Sequence, residues 1–346
     1  MRQVWITRHG PPDVLQVRDS PEPTPAAGEV RVRVDAAGIN FADVSARMGT
    51  YPDAPPPPCV VGYEVGGTID AVGPGVDASR VGRPVIALTR FGGYSEAVVV
   101  PDVQAMDRPP GLSARDGAAI PVVYLTAYQI LIEVARVRAG DRVLIHQAAG
   151  GVGLAALDLC AMLGAETIGT ASGAKHAFLR ERGLSHAIDY RTLDYEPEVR
   201  RITGGQGVDV ILDPMGGGSW KKGLRLLAPN GKLVCFGMSA MSTGQERSYV
   251  GVVRALASVP WLAINPISLM NGNRAVAGVN VGRLWQHTDR LAAWLARILA
   301  WWGEGKVRPH VDRVFAFDDA PAAHAYIQER RNVGKVLLAP DPARVG

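Results

Sequence analysis

The feature that most constrains this chain is a segment near its middle, where an apolar run is followed by a glycine-rich turn and an Ala/Leu-rich stretch. These three parts are residues 143–146, 147–153 and 154–163. The order predicts a strand, a tight turn and a helix, because glycines let the backbone approach a pyrophosphate at a helix N-terminus. A second apolar strand over 167–171 follows at the distance expected of a β-α-β unit. The segment therefore predicts a dinucleotide-binding site, although Ala148 stands where the full fingerprint has its first glycine.

The residues after the second strand indicate which dinucleotide binds. An NAD site usually places Asp or Glu there, about twenty residues past the glycines, to accept hydrogen bonds from the ribose hydroxyls. Here the strand runs into Ser172 and Lys175, with no carboxylate at its end. A hydroxyl and an ammonium attract the 2′-phosphate that a carboxylate would repel. The sequence therefore favours NADPH, with a helix N-cap followed by a solvated lysine as the plainer interpretation.

Size and composition exclude several classes of protein. The 346 residues suffice for two domains, and 47% hydrophobic with 20% charged residues is an ordinary composition. The net charge is only +4, and no basic run alternates with aromatic residues, so nucleic acid is not an expected partner. The three dispersed cysteines predict neither a disulfide framework nor a structural metal site, which fits a reducing, cytoplasmic location. The most apolar stretch, 250–270, contains Arg254 and two prolines, so it does not predict a membrane span. We interpret it as a helix followed by an apolar loop that covers a pocket or an interface, or else as part of the core.

The pattern of elements predicts an α/β protein of two domains. Residues 1–123 carry short alternating apolar runs, typical of a barrel-like β-rich domain. From residue 124, strands and helices alternate, and six strands predict a doubly wound parallel sheet, a Rossmann domain over 124–283. The predicted strands are 143–146, 167–171, 187–189, 208–212, 232–236 and 275–281. A helix beyond 283, two strands at 314–317 and 335–338 and a helix at 319–330 are expected to return to the first domain, so that 1–123 and 284–346 form one catalytic domain.

With these residues identified, the chain resembles the medium-chain dehydrogenase/reductase superfamily along nearly its whole length. Within it, the likeness is to the zinc-free quinone oxidoreductase branch that includes zeta-crystallin, and there to the vesicle amine transport protein subgroup. The matching segments are 36–43, 47–51, 148–153, 169–172, 188–190, 213–217, 273–276 and 332–338. The resemblance implies a GroES-like catalytic domain, a Rossmann domain and a homodimer joined through the strand over 275–281.

Comparison with the zinc-dependent members of this superfamily predicts that no zinc is bound. Those enzymes have a Cys where this chain has Asn40 and a His where it has Tyr63, and neither residue replaces a thiolate or an imidazole, although Glu64 remains. The four-cysteine lobe that holds their structural zinc is also absent. Without a Lewis acid, the site suits acceptors that are already electrophilic, namely quinones and α,β-unsaturated carbonyls. The oxyanion formed when such an acceptor takes hydride needs a hydrogen-bond donor or a proton.

The resemblance also implies the roles of individual residues. Asn40 would orient the carboxamide or the substrate carbonyl, and Tyr51 and Tyr63 are the candidate hydrogen-bond donors. The structural alternatives are that Asn40 caps a loop, that Tyr51 is an ordinary half-buried aromatic residue, and that Tyr63 only fills space. The nicotinamide half would lie near Thr126, Gly237, Met238, Val279 and Asn280. The pyrophosphate would lie on Ala149, Gly150, Gly151, Val152 and Gly153. The adenosine phosphate would be held by Ser172, Lys175 and Tyr190, and the C-terminal segment would return to the cofactor with Asn332 and Lys335.

The function predicted is an NADPH-dependent reductase of quinones or activated enones that works without zinc. One alternative from the same superfamily is an enoyl-thioester reductase of fatty-acid or polyketide type. Another is a non-enzymatic protein that keeps the NADPH pocket for stability or for interaction. Because all three bind NADPH, the glycine turn does not separate them.

Overall fold

The computed structural model describes residues 1–239 and 264–345, and also residues 253 and 257. Most of the apolar stretch 250–270, which was predicted to form a helix and a loop, lies outside these residues. Its described part includes the start of the short helix Pro266–Gly272.

The first part of the chain folds into antiparallel strands. They are β1 Arg2–Ile6, β2 Leu15–Asp19, β3 Glu29–Ile39, β4 Glu64–Val72, β5 Pro84–Leu88, β6 Ala97–Pro101 and β7 Ala105–Asp107. Strands β1 and β2 form a ribbon of their own, whereas β3 pairs with both β4 and β6. Val30, Val32 and Val34 of β3 are buried, as their alternation predicted. The short helix α1, Phe41–Arg47, follows β3 directly and begins at Asn40.

The middle of the chain forms a six-stranded parallel sheet. Its strands are β8 Arg142–Ile145, β9 Glu166–Ala171, β10 His186–Asp189, β11 Val208–Asp213, β12 Leu227–Cys235 and β13 Ala275–Gly278. Their order across the sheet is β10-β9-β8-β11-β12-β13, so the order reverses between β8 and β11, where such sheets bind ligands. Strand β13 ends three residues earlier than predicted because residues 281–283 turn into a 3₁₀ helix.

Helices cover both faces of this sheet. The helices of this part of the chain are α3 Pro121–Tyr128, α4 Gly151–Leu163, α5 His176–Glu181, α6 Tyr195–Ile202, α7 Gly218–Leu226, α8 Pro266–Gly272 and, after the sheet, α9 Thr288–Gly303. The short helix α2, Ala114–Gly117, precedes them and packs instead on β3, β4 and β5 of the first sheet. The helical run 114–134 is long and apolar enough to cross a membrane by length and composition, but 72% of its most apolar window is buried in the protein. It packs against α4 and α9 and is therefore a core helix here.

The end of the chain returns to the first sheet. Strand β14, Val311–Ala316, pairs with β15, Lys335–Ala339, and β15 pairs antiparallel with β3; helix α10, Ala320–Gln328, lies between them. Helix α9 instead packs on α3, and its buried stripe of Leu291, Leu295 and Ile298 shares a core with the helices of the parallel sheet. The division of the chain at residue 283 stays a prediction, since apolar packing is continuous past it.

Candidate cofactor and substrate site

The predicted turn leads from β8 into α4, and its glycines are required by close packing. Gly150 is the N-cap of α4 in extended backbone. A Cβ on Gly153 would lie 2.4 Å from the carbonyl oxygen of Ala148, and one on Gly151 would lie 2.8 Å from Val123 Cγ1. The backbone N–H groups of the first turn of α4 have no partner within the helix and carry its positive dipole end. This cradle fits the pyrophosphate of a dinucleotide.

A cleft of about 1050 Å³ runs along this turn, and many of the predicted site residues line it. Those in the cleft wall are Asn40, Ala149, Gly150, Gly151, Val152, Gly153, Ser172, Lys175, Tyr190, Asn332 and Lys335. The predicted residues that do not appear in the described wall are Tyr51, Tyr63, Thr126, Gly237, Met238, Val279 and Asn280. The Thr126 hydroxyl donates to the carbonyl of Val122, 2.7 Å away, within its own helix.

The C-terminal segment closes one side of the cleft, as the resemblance implied. The Gly334 N–H donates to the carbonyl of Ala149 at 2.8 Å, and Gly334 forms a bridge with Gly150. Gly334 has φ +79°, and a Cβ on it would lie 2.6 Å from the His310 carbonyl oxygen. The strand that supplies Lys335 is thus joined directly to the glycine turn.

Positive charge gathers at the end of the cleft that follows β9. Lys175 Nζ donates to the carbonyls of Arg330 at 2.8 Å and Asn332 at 2.6 Å, which leaves one of its three N–H groups for a ligand. Burial lowers the pKa of Lys175. The carboxylate of Asp312 opposes this lowering, whereas the neighbouring guanidinium of Arg191 lowers the pKa further. An anionic ligand would relieve the repulsion among these cations.

Arg330 belongs to this cationic group and was missed in the sequence. It lies in the cleft wall, in the left-handed backbone region at φ +57°, just after α10 ends. Two adjacent arginines before the matched segment 332–338 were the available signal, but a pair of arginines is also typical of a solvated helix end. Asp189, at the end of β10, lies beside Gly173, and its carboxylate oxygens accept from the backbone N–H groups of Gly173 and Arg191, both at 3.0 Å.

Beside Asn40 in the cleft wall, a buried ion pair joins β4 and β15, which belong to the same antiparallel part of the first sheet. Lys335 Nζ contacts Glu64 Oε1, and the two residues are 3% and 0% exposed. Asn40 bridges them: its Oδ1 accepts from Lys335 at 2.6 Å and its Nδ2 donates to Glu64 Oε1 at 2.9 Å. The second carboxylate oxygen of Glu64 accepts from the Val122 N–H at 2.7 Å. The side chain of Asn40 is therefore held in one orientation by opposite charges.

Asp43 lies beneath this group and is also fully buried. Its carboxylate accepts from the Asn40 N–H at 2.7 Å and the Gly62 N–H at 3.0 Å, and Asn40 and Asp43 form a capping box at the start of α1. Burial raises the pKa of Asp43 to about 7, although the Asn40 N–H and then Lys335 oppose that rise. Asp43 therefore serves as a local hydrogen-bond acceptor that holds the start of α1 against Gly62.

The two candidate donor tyrosines lie together in an aromatic cluster. The Tyr63 ring is stacked on Trp285, with centroids 6.5 Å apart and 14° between planes; Phe91 is 5.4 Å away and Tyr51 meets it edge-on at 6.3 Å. Burial raises the pKa of both phenols. Their two hydroxyls interact with each other, and the Tyr51 hydroxyl also interacts with the side chain of Asn280. Both tyrosines are therefore neutral O–H donors at ordinary pH.

The side chains around Glu64 differ from the ligand set that holds zinc in the zinc-dependent members of the superfamily. Within the described residues, no group of three or more His, Cys, Asp or Glu side chains converges. Glu64 is already paired with the Lys335 ammonium, and the neighbouring positions are the Asn40 amide and the Tyr63 phenol.

Comparisons with known proteins agree on fold and family. The alcohol dehydrogenase GroES-like domain matches residues 26–110, and the zinc-binding dehydrogenase family matches residues 182–338. The human synaptic vesicle membrane protein VAT-1 homolog is 40% identical over 333 residues, which are 95% of this chain and 84% of that protein.

Solved structures of oxidoreductases are similar over the whole chain. Escherichia coli quinone oxidoreductase complexed with NADPH has 28% identity and a TM-score of 0.85, covering 98% of this chain and 100% of that one. The CurK enoyl reductase has 29% identity and a TM-score of 0.82, covering 98% of each chain. The predicted fold class, a GroES-like domain with a six-stranded Rossmann sheet, is confirmed, as is the family resemblance.

Proposed function

The chain belongs to the medium-chain dehydrogenase/reductase superfamily, and we propose from this that it is an NADPH-dependent, zinc-independent reductase of quinones or α,β-unsaturated carbonyls. The observation that carries the proposal is the cleft itself. A glycine turn at a helix N-terminus lies between a cationic group at one end and the Glu64–Lys335 pair at the other. Membership of the family supports an oxidoreductase activity. The residues of the cleft support NADPH as the cofactor and a quinone or enone as the acceptor.

The preference for NADPH is supported by the charges around Lys175. Its ammonium, with Arg330 and Arg191 nearby, offers positive charge where the 2′-phosphate of a bound dinucleotide is expected.

Independence from zinc is supported by what surrounds Glu64. The carboxylate that remains of the zinc-binding pattern is neutralised by Lys335, and a second cation at this position would be repelled. An acceptor at this site must therefore be electrophilic through its own conjugation, which favours quinones and enones over simple ketones.

NADPH, when bound, supplies the hydride, and residues of this chain would orient the acceptor and stabilise the negative charge that forms on it. Asn40 keeps one Nδ2–H free beyond its bond to Glu64, and this donor would orient the carboxamide or the substrate carbonyl. The phenols of Tyr51 and Tyr63 would donate toward the oxygen on which negative charge develops.

A fluorescence titration of NADPH and NADH tests the cofactor. The wild type is expected to bind NADPH more tightly. Arg330→Ala should weaken NADPH binding about 10- to 100-fold, as expected for one charge-assisted hydrogen bond, and leave NADH binding unchanged. Arg331→Ala is the matched control, because that guanidinium lies over the Tyr326 ring and pairs with Glu329. Equal binding of NADH and NADPH by the wild type would refute the preference.

Turnover is tested by NADPH consumption with ortho- and para-quinones, short enones and enoyl thioesters, with and without a chelator. Quinone or enone reduction that survives chelation is the expected result. The similarity to the CurK enoyl reductase makes enoyl-thioester reduction the second candidate, and preferential turnover of thioesters would establish it instead. NADPH binding without turnover of any acceptor would support a non-enzymatic interaction protein.

We also propose a cytoplasmic homodimer. Strand β13 is an edge of the six-stranded sheet among the described strands, and Ile267 and Met270 of the adjacent α8 are 68% and 71% exposed. Cys59 and Cys160 are buried free thiols, which is consistent with a reducing compartment. Sedimentation equilibrium should give the mass of two chains; a monomer at micromolar concentration would overturn the dimer.

A further inference from the structure

Gln147 lies just past the end of β8, and its backbone is strained. The residue has φ +54°, in the left-handed region that favours glycine and is unfavourable for any residue with a Cβ. Its carbonyl accepts from the Gly150 N–H at 2.8 Å, so Gln147 is the first residue of the glycine turn. Backbone strain of this kind is concentrated at functional sites, where the surrounding structure keeps it in place. A glutamine at this position therefore calls for a functional explanation.

The side chain of Gln147 crosses the crevice at the carboxyl ends of the parallel strands. Its Nε2 donates to Ser239 Oγ at 3.1 Å, and Ser239 lies past the end of β12. The Ser239 N–H donates in turn to the carbonyl of Pro214, directly after β11, at 2.9 Å. Gln147 and Pro214 both line the cleft, and the order of the sheet reverses between β8 and β11. The carboxamide thus spans the point at which sheets of this kind bind ligands.

One end of this carboxamide is left for a ligand. Ser239, itself only 6% exposed, engages Nε2, whereas Oε1 of Gln147 has no hydrogen-bond partner among residues 1–239 and 264–345. Because the tether fixes one polar atom of the carboxamide, it also fixes the direction of the other. A carboxamide oxygen can only accept hydrogen bonds, so the group that it holds must be a donor.

Resting on the NADPH-dependent function proposed above, we infer that the carboxamide oxygen of Gln147 accepts a hydrogen bond from the hydroxyls of the nicotinamide ribose. The proposed phosphate site at Lys175 and Arg330 lies past β9, and the pyrophosphate cradle is the glycine turn itself. Continuing from the turn across β11 and β12, the next part of the cofactor is this ribose, whose two hydroxyls are donors. Since the ribose carries the nicotinamide, holding it restricts the position of the ring that gives up hydride. Ser239 acts only through Gln147 and is a positioning residue.

Three ligands of increasing length test this inference without turnover, by isothermal titration calorimetry. Adenosine 2′,5′-bisphosphate lacks the nicotinamide ribose, 2′-phospho-ADP-ribose contains that ribose without the nicotinamide, and NADPH contains both. Gln147→Met keeps the length of the side chain but removes its polar atoms. It should weaken binding of the two longer ligands by the same factor, about 3- to 10-fold for one neutral hydrogen bond, and leave the bisphosphate unchanged. Gln206→Met is the matched control, because that carboxamide accepts from Arg142 at the other end of β8.

Two further sets of variants test the tether and the strain. Ser239→Ala should weaken binding of the same two ligands by a smaller factor, and should add nothing to the loss in Gln147→Met, because the two residues act as one unit. Gln147→Gly and Gln147→Ala both lack the carboxamide and should bind like Gln147→Met. Only glycine relaxes the left-handed backbone, so Gln147→Gly should have the higher melting temperature of the two.

Several results would overturn the inference. An equal loss for all three ligands would show that Gln147 only supports the turn, and a loss for NADPH alone would move the contact to the nicotinamide. Unchanged affinities, additive losses in the double variant, or an alanine variant that melts as high as the glycine variant would overturn it as well. If the wild type binds none of the three ligands, the NADPH-dependent function itself fails. If the wild type binds them and one of the other results is found, only the role of Gln147 fails.

Discussion

Replacing Lys335 by methionine should destabilise this protein more than almost any other change of a single charge. The substitution keeps the aliphatic stem, which packs near Gly151, but leaves the Glu64 carboxylate buried without its cation. It also removes the donor to Asn40 Oδ1. The pair is nearly free of solvent, so water and salt can do little to compensate.

The expected magnitude follows from this burial. At a separation of about 3 Å and an effective dielectric of about 20, the attraction between two unit charges is about 5 kcal/mol. Removing one partner of such a pair typically costs about 3–5 kcal/mol, because the other charge stays buried. Glu64→Gln with Lys335→Met removes both charges, and the double variant should lie within about 1–2 kcal/mol of the wild type. If Glu64→Gln alone costs the same about 3–5 kcal/mol, the coupling energy between the two substitutions should be at least about 4 kcal/mol.

Urea unfolding of the cofactor-free protein measures these free energies. Lys306→Met is the control, because Lys306 and Glu304 form a pair that is about half exposed and should contribute less than about 1 kcal/mol. A loss below about 1 kcal/mol for Lys335→Met, or a double variant whose loss equals the sum of the two single losses, would refute the reasoning.

Three further predictions concern other buried groups. Gly153→Ala should weaken NADPH binding at least about 10-fold in a fluorescence titration, because its Cβ would lie 2.4 Å from the Ala148 carbonyl oxygen. Burial raises the pKa of Asp43 to about 7, so the protonated residue makes its full contribution to the unfolding free energy below about pH 4. That contribution, up to about 4 kcal/mol, is lost as the pH rises to about 7. Asp43→Asn should remove that part of the pH dependence of the unfolding free energy; an unchanged slope would contradict it. Asp158 is fully buried and paired with Arg182, and Asp158→Ala should cost about 3–5 kcal/mol in urea unfolding.

Much of the nucleotide-binding half could be predicted from the sequence. The strand, turn and helix over 142–163 depend on residues close together in the chain, since glycine spacing and apolar runs act through local backbone geometry. The same holds for the six parallel strands, whose predicted positions differ from the observed ones mainly at their ends. The early end of β13 was missed because a 3₁₀ turn over 281–283 leaves no clear signal in an apolar stretch.

The cationic group at the adenosine end was only half predictable. Lys175 follows β9 in the chain, so its position was fixed by the β-α-β unit. Arg330 comes from the far end of the chain and reaches the same place only because β15 pairs with β3. The packing of α9 on α3 depended equally on contacts that periodicity does not specify, because an apolar stripe shows that a helix is buried but not against what.

By itself, the sequence determined the architecture, the glycine turn and the absence of an acid after β9, because each of these depends on residues that are close together in the chain. Tertiary structure alone decided that Lys335 neutralises Glu64 and orients Asn40, a contact between residues 295 positions apart for Lys335 and Asn40. It also decided that Tyr63 packs among the rings of Trp285, Phe91 and Tyr51. The physical reason is that charge pairing and burial depend on which surfaces meet, and the meeting of distant strands is not encoded at any one position.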